Sequence, residues 1–419
     1  MKNIKKIISL CLCCFLIIGL CACKKKEKDV KYDPVKEEDS TVYTIYIMQD
    51  DDSEYHNQIL KGYQDALNDL FGASHLDIKY SKGSDDVSLD AIAEAYAVTT
   101  PQLIFANGAN SVTSMATAEQ TTPIVGADVI NYEGELDRIE AKKTSLLNSV
   151  TTDDVTSSEI SADTSVEPTD EDSQNQESTL FNNPLPAPEP WDGTTGINLC
   201  GVSTLPDIEA SLSLLIECTP VLYSVGVIYP EGDEDAKYQA DIMKKYVEQA
   251  GLVCNEYILP PSSDMISEYS INSTLSGSVT TDQVLKMACE NSNCLYIPSS
   301  VYVDDQIEKI CNTATANGIP TVTNDLEASN YALASLYQDP YMIGYAAGKM
   351  SYRVLVKKED PSTTLIENVI FNNEKLYNEN VANALGKAFP KSFKERTKFL
   401  EEYVPGSTTE RVNNQEASQ

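Results

Sequence analysis

The sequence predicts an α/β protein of two Rossmann-like parallel-sheet lobes joined by a hinge. Three observations carry that expectation. Short β-rich apolar runs alternate with helical periods twice, over about 41–132 and again from 196. The connections within each run are short, and repeated strand–helix alternation of that kind makes a parallel sheet covered on both faces. A long polar stretch separates the two runs. At 419 residues, 42% of them hydrophobic, the chain is long enough for more than one domain and apolar enough for a sizeable core.

The start of the chain differs from the rest. Lys2, Lys5 and Lys6 precede an apolar run from Ile7 to Ala22, too short to cross a bilayer as a helix, which needs about 20 residues. A positive start, a short apolar stretch and a small residue before a cysteine read as an export signal over 1–22. The Ala22-Cys23 step resembles a bacterial lipoprotein signal, which implies lipidation at Cys23 and an extracytoplasmic protein anchored to the cell membrane. Residues 23–40, beginning Lys24-Lys25-Lys26-Glu27-Lys28, read as a tether.

In the first lobe the pattern predicts strand Val42–Met48 and helix Tyr55–Phe71, with Ile59, Tyr63, Ala66, Leu67 and Leu70 on one face. Strand Leu76–Tyr80, helix Leu89–Val98, strand Leu103–Ala106, helix Val112–Glu119 and strand Ile124–Val129 follow. Residues 133–192 read as a disordered insertion. Within it, 144–180 hold nine Asp/Glu with no Lys, Arg or aromatic residue, and a proline-rich segment follows. Such a stretch cannot bury enough apolar surface to offset its conformational entropy.

The second lobe is expected over 196–338 plus about 365–390, with about 339–356 returning to the first. It begins with strand Gly196–Val202, helix Ile208–Cys218, strand Ser224–Tyr229, helix Glu234–Ala250 and strand Leu252–Leu259. Helix Gln283–Glu290, strand Cys294–Ile297, helix Asp304–Ala316 and strand Ile319–Thr323 come next. Strand Ala332–Leu336, helix Tyr341–Leu355, strand Leu365–Phe371 and helix Leu376–Leu385 complete the pattern, and 400–419 read as a loose tail.

Composition narrows the function. The balance of 31 Lys+Arg against 64 Asp+Glu gives a formal charge of −33, which repels phosphate backbones and argues against nucleic acid as a partner. With two histidines and no CxxC among the six late cysteines, no metal or cofactor is expected. No nucleophile–base motif is evident, so an enzyme is not expected. Those six cysteines fall on regular elements and read as buried free thiols. Gly344-Tyr345-Ala346-Ala347-Gly348-Lys349-Met350-Ser351 lacks the spacing and the Ser/Thr of a phosphate loop, and its glycines read as a helix-packing seam. Asp50-Asp51-Asp52-Ser53-Glu54 reads as a helix start, where carboxylates favour the positive end of the dipole.

Ligands of parallel α/β sheets sit beyond the carboxyl ends of the strands. Those ends supply Gln49, Asp50, Asn107, Gly108, Ala109, Asp128, Tyr229, Ser299, Ser300, Asp325 and Gln338 as candidate ligand-binding residues. They are mostly short polar side chains, acids and bare amides. The four arginines, Arg138, Arg353, Arg396 and Arg411, all lie away from strand ends. A multiply anionic ligand would want a guanidinium fork, so a neutral, zwitterionic or cationic small molecule is expected.

These stretches together resemble a known family. Tyr46-Ile47-Met48-Gln49, Pro101-Gln102-Leu103-Ile104-Phe105-Ala106 and Val225-Gly226-Val227-Ile228-Tyr229-Pro230 are similar to the type I solute-binding proteins of ABC importers. So are Gly318-Ile319-Pro320-Thr321-Val322 and Asp339-Pro340-Tyr341-Met342-Ile343-Gly344. More narrowly, the chain resembles the lipoproteins that include tryptophan- and tyrosine-binding members. The resemblance implies three chain crossings between lobes, a monomer, and a small ligand trapped as the lobes close for delivery to an ABC permease. It also implies that Gln49 and the Asn107–Ala109 turn face the ligand from lobe one, and Tyr229, Ser299, Asp325 and Gln338 from lobe two. Asp325 would pair a ligand amine, and amides after Asn107 would suit a ligand carboxylate. A sensory receptor signalling to a membrane partner is the alternative function.

Overall fold

The computed structural model describes residues 32–84, 86–153, 191–260, 280–299, 301–325, 328–369 and 374–387. The export signal, Cys23, most of the tether, Ser300, the insertion beyond 153 and the tail fall outside the described residues.

Strand–helix alternation produces two six-stranded sheets. The first lobe runs β1 (Tyr43–Gln49), α1 (Glu54–Phe71), β2 (Leu76–Lys82), α2 (Leu89–Ala97), β3 (Leu103–Asn107), α3 (Ala109–Ala118), β4 (Ile124–Val129), α4 (Tyr132–Asp153) and β5 (Leu199–Ser203). The second takes α5 (Ile208–Cys218), β6 (Ser224–Pro230), α6 (Glu234–Gln249), β7 (Val253–Leu259), α7 (Thr281–Asn291), β8 (Cys294–Ile297), α8 (Val301–Ala316), β9 (Thr321–Thr323) and β10 (Ala334–Tyr337). The chain then returns through α9 (Pro340–Leu355) and β11 (Glu367–Asn368) to lobe one. It ends in lobe two with β12 (Glu374–Tyr377) and α10 (Glu379–Ala384). Strand order is β11-β5-β4-β3-β1-β2 in one sheet and β12-β10-β9-β8-β6-β7 in the other. Every pairing is parallel except β10 with β12, which is antiparallel.

Each sheet is sandwiched. Ile45, Ile47 and Phe105 point to α1 and α9, while Tyr46, Met48 and Ile104 point to α2 and α3. In lobe two, Val225, Val227 and Tyr296 pack toward α5 and α6, and Ile228, Leu295 and Ile297 toward α7 and α8. All five residues expected on the inner face of α1 are buried. Helices α1 and α9 pack at close range because Gly344 lies against the carbonyl of Ile59, where a Cβ would overlap. The glycines of that segment form a packing seam. The six late cysteines are free thiols, four of them buried.

Four expectations need correction. Residues 133–153 are not part of a disordered insertion: they form α4, because Tyr132, Glu135 and Ile139 fall on one helical face and bury it against the lobe. Strand β5 pairs with β4, so 199–203 belong to lobe one and the first crossing lies just after Ser203. The strand expected over 365–371 is the short β11, and it too joins lobe one, beside β5. The helix expected from Leu376 is instead strand β12 up to Tyr377 and then α10, whose N-cap Asn378 receives Asn380 N–H and Val381 N–H.

Candidate ligand-binding cleft

The order of strands reverses between β1 and β3 in lobe one and between β6 and β8 in lobe two, and the carboxyl ends of those strands are where such sheets bind ligands. At the β1 end, Gln49 is fully buried. It accepts from Asn107 Nδ2 at 3.0 Å and donates to the Asp51 carbonyl at 2.6 Å. Asn107, equally buried, also donates to the His56 carbonyl at 3.0 Å. These two amides therefore brace each other at the carboxyl ends of β1 and β3.

Asp50 leaves β1 and reaches the start of α3. Its carboxylate accepts from Ser111 N at 2.6 Å and Asn110 N at 3.2 Å. Gly108 adopts φ 116°, and a Cβ there would overlap the Asp50 carboxylate. The amides expected to hold a ligand carboxylate are thus taken by the protein's own acid. Burial pushes the Asp50 carboxyl above its ordinary range, against the opposing bonds from Ser111. Ala109, half-buried, opens α3 and packs into the lobe core.

Beside it, His56 is clamped. Nδ1 lies 2.6 Å from Asp51 Oδ1 and Nε2 lies 2.9 Å from Asp128 Oδ2. Burial alone would lower its pKa, but the bonds and charges of Asp128 and Asp51 hold it up at about 9, so the ring is an imidazolium donating from both nitrogens. Ser53 caps α1 by accepting from His56 N and fixes the ring's position. Asp128 adopts φ 60° within an irregularity of the β4–β5 pairing. Such bulges re-aim side chains, and a positive φ in a non-glycine residue marks strain concentrated at functional sites.

Tyr55 feels charges from both lobes. Its ring is 39% exposed, yet its hydroxyl end is surrounded. Burial, then the charges of Asp128 from lobe one, Asp325 from lobe two and Asp339 from the second crossing, push its ionisation well above the phenol range. Further along, α4 faces α6. Glu135 accepts from Thr113 Oγ1 and pairs with Arg138 at 3.1 Å. Burial raises Glu135 to about 7, Arg138 opposing and Asp235 adding to the rise. Burial and Asp233 raise Asp235 on α6 to about 6, with Arg138 and Asp128 of the other lobe within its field.

In lobe two, Tyr229 points away from the cleft: its hydroxyl donates to Glu256 Oε2 at 3.0 Å, on the neighbouring strand β7. Ser299 is held by its backbone, N–H to Gln239 Oε1 at 3.1 Å and carbonyl to Gln239 Nε2 at 2.7 Å. Asp325 accepts from Ala328 N at 2.9 Å, capping the short 3-10 turn Ala328–Asn330, while its charge reaches Tyr55. Gln338 lies in the hinge, bonded to the Leu205 carbonyl and to Asn368. Of the expected residues, then, Asp128 and Asp325 both act on Tyr55, and Asp50 lies within the field of His56 and Asp128. Gln49 and Asn107 brace each other, Gln338 lies in the hinge, and Tyr229 faces elsewhere. Sequence reasoning missed Tyr55, His56 and Asp235. The first two lie in the first turn of α1, just after its acidic start, and Asp235 in the first turn of α6.

A cavity of about 500 Å³ opens on the flank of lobe one, lined by Asp90, Asn110, Arg138 and Lys142 among others. Its cations are paired, Arg138 with Glu135 and Lys142 with Asp90, and none of the groups around Tyr55 lines it. The convergence of both lobes on Tyr55 outweighs its size. Among the described residues no group of three or more His, Cys, Asp or Glu is arranged to hold a metal ion.

Residues 192–389 match the family described as ABC transporter substrate binding protein. A tyrosine-binding protein of Clostridioides difficile is 27% identical over 183 residues, which are 43% of this chain and 48% of that one; the chain spans about half the length of this curated relative. Two solved structures share the fold. A ligand-free, open substrate-binding protein with adhesive properties from Clostridium difficile aligns at TM-score 0.61 and 19% identity, over 85% of this chain and 99% of that one. The ABC domain in complex with L-Trp from Streptococcus pneumonia aligns at TM-score 0.57 and 16% identity, over 86% and 99%. The matched family and the first of these structures are described as substrate-binding proteins. The chain shares the two-lobed fold of these solved structures, and its residues 192–389 match the family described as ABC transporter substrate binding protein.

Proposed function

We propose that the chain is an extracytoplasmic lipoprotein, anchored through Cys23, that captures a small amino-acid-like molecule between its lobes and delivers it to an ABC permease. The observation that carries this reading is His56 held between Asp51 and Asp128 at the lobe-one switch point, beside Tyr55, whose hydroxyl feels the charges of Asp128 from lobe one and Asp325 from lobe two. In this reading Asp50, Asp51, Tyr55, His56, Asp128, Asp235 and Asp325 line the cleft, with Ser299 at its lobe-two rim. Closure about the hinge traps the solute without chemistry. The test is a thermal-shift screen of the full chain over amino acids, amines, nucleosides and sugars. A true ligand at a hundred times its Kd stabilises by about 2.7 kcal/mol, and a screen with no shift from any class refutes solute capture.

A further inference from the structure

The N-terminus of α3 is the place where an amino acid's carboxylate would be expected, and the fold gives it to Asp50. Its two oxygens take Ser111 N–H at 2.6 Å and Asn110 N–H at 3.2 Å. The occupation is built into the backbone, because Gly108 at φ 116° leaves open the space that any side chain would take from that carboxylate. A second carboxylate brought to the same amides would meet a like charge at close range, where repulsion in a partly desolvated site is strong.

Cations that might take over the role are already engaged. His56 is held between Asp51 at 2.6 Å and Asp128 at 2.9 Å. Arg138 is paired with the buried Glu135 at 3.1 Å. An incoming ammonium group meets no such repulsion: the charges of Asp128 from one lobe and Asp325 from the other both act on Tyr55, and that of Asp128 also on Asp235. Burial and its acidic neighbours already hold the Asp235 carboxyl up at about 6, a cost that a bound cation relieves.

We propose that Asp50 is a specificity-determining residue that closes the cleft to α-carboxylates, so that the preferred ligand is an organic amine lacking a free carboxylate. This narrows the solute-capture reading and rests on it. It needs no new contact: the same amides that bind a carboxylate in an open helix terminus are satisfied here before any ligand arrives.

Calorimetric titration of the full chain with matched probes tests it: tyramine against tyrosine, tryptamine against tryptophan, cadaverine against lysine, and tyrosine methyl ester as a masked carboxylate. In at least one pair the amine is expected to bind about tenfold or more tighter than its amino acid, with the ester following the amine. Asp50→Ala, checked for an unchanged melting profile, is expected to shift that preference toward the amino acid by a similar factor. An amino acid that binds the unaltered protein as tightly as its amine overturns the proposal and leaves solute capture standing. An unchanged preference in a folded Asp50→Ala overturns the role of Asp50. Silence from every probe overturns the proposal, and a positive thermal shift with another solute class then shows that solute capture itself survives.

Discussion

Gln338 and Asn368 hold each other across two chain crossings, and together they hold the third. Gln338 Nε2 donates to Asn368 Oδ1 at 2.9 Å, and both side-chain amides donate to the Leu205 carbonyl, at 3.2 and 2.9 Å. The three segments joining the lobes are thereby fixed to one another at a single point, about which the lobes can turn.

If that point acts as a unit, Gln338→Met and Asn368→Leu should each cost about 1–3 kcal/mol, because each leaves partly buried polar groups without a partner. A double-mutant cycle by urea unfolding is expected to show coupling of about 0.5–1.5 kcal/mol. Strict additivity would mean that the crossings are held independently.

His56 makes stability depend on alkaline pH. Its pKa is raised from 6.5 to about 9 in the folded protein, so its contribution is complete below about pH 6.5 and is lost as pH rises through about 9. His56→Gln should be less stable than the parent by up to about 3 kcal/mol at pH 6, with the gap closing by about pH 10. Denaturant titrations at three pH values measure this, and a gap independent of pH would remove the imidazolium from the account.

Glu135 acts with the same sign at lower pH. Burial raises its carboxyl from 4.5 to about 7, so the folded state holds the proton more tightly than the unfolded one. Stability is complete below about pH 4.5 and falls as pH rises through about 7. Glu135→Gln removes the ionised form and is expected to gain about 1–3 kcal/mol at pH 8, less what its pairing with Arg138 returns. Melting temperatures of the two proteins should converge near pH 4.5.

At the α1–α9 seam, Gly344→Ala forces a Cβ into the carbonyl of Ile59. The helices must separate, at a cost of about 1–3 kcal/mol or more. Ala346→Gly, on the same helix, should cost only about 1 kcal/mol from propensity. Thermal unfolding of the pair separates steric exclusion from a general intolerance of change in α9.

Asp325 caps a turn, and its charge also reaches Tyr55. Asp325→Asn keeps an acceptor for Ala328 N while removing the charge, so melting of the unliganded protein should stay nearly constant. Affinity for the tightest amine of the thermal-shift screen should fall about tenfold, the worth of one charged hydrogen bond. Equal affinities would confine Asp325 to capping.

Local chemistry determined most of the fold. The 3.6-residue spacing of Ile59, Tyr63, Ala66, Leu67 and Leu70 sets the buried face of α1, and β-branched runs such as Val225–Ile228 can only be strands covered on both sides. The glycines of α9 and the acidic start of α1 were legible for the same reason, since each acts within one or two turns of chain. Tertiary structure alone decided which lobe β5 and β11 join, because a strand's partner depends on where the chain turns, not on its own residues. It also decided the site. Nothing in the order of residues puts Asp50 on the amides of Ser111 and Asn110, sixty positions away, or Asp128 on His56. Such pairings arise only when two strand ends are brought side by side, where a carboxylate and a helix terminus satisfy each other before a ligand can.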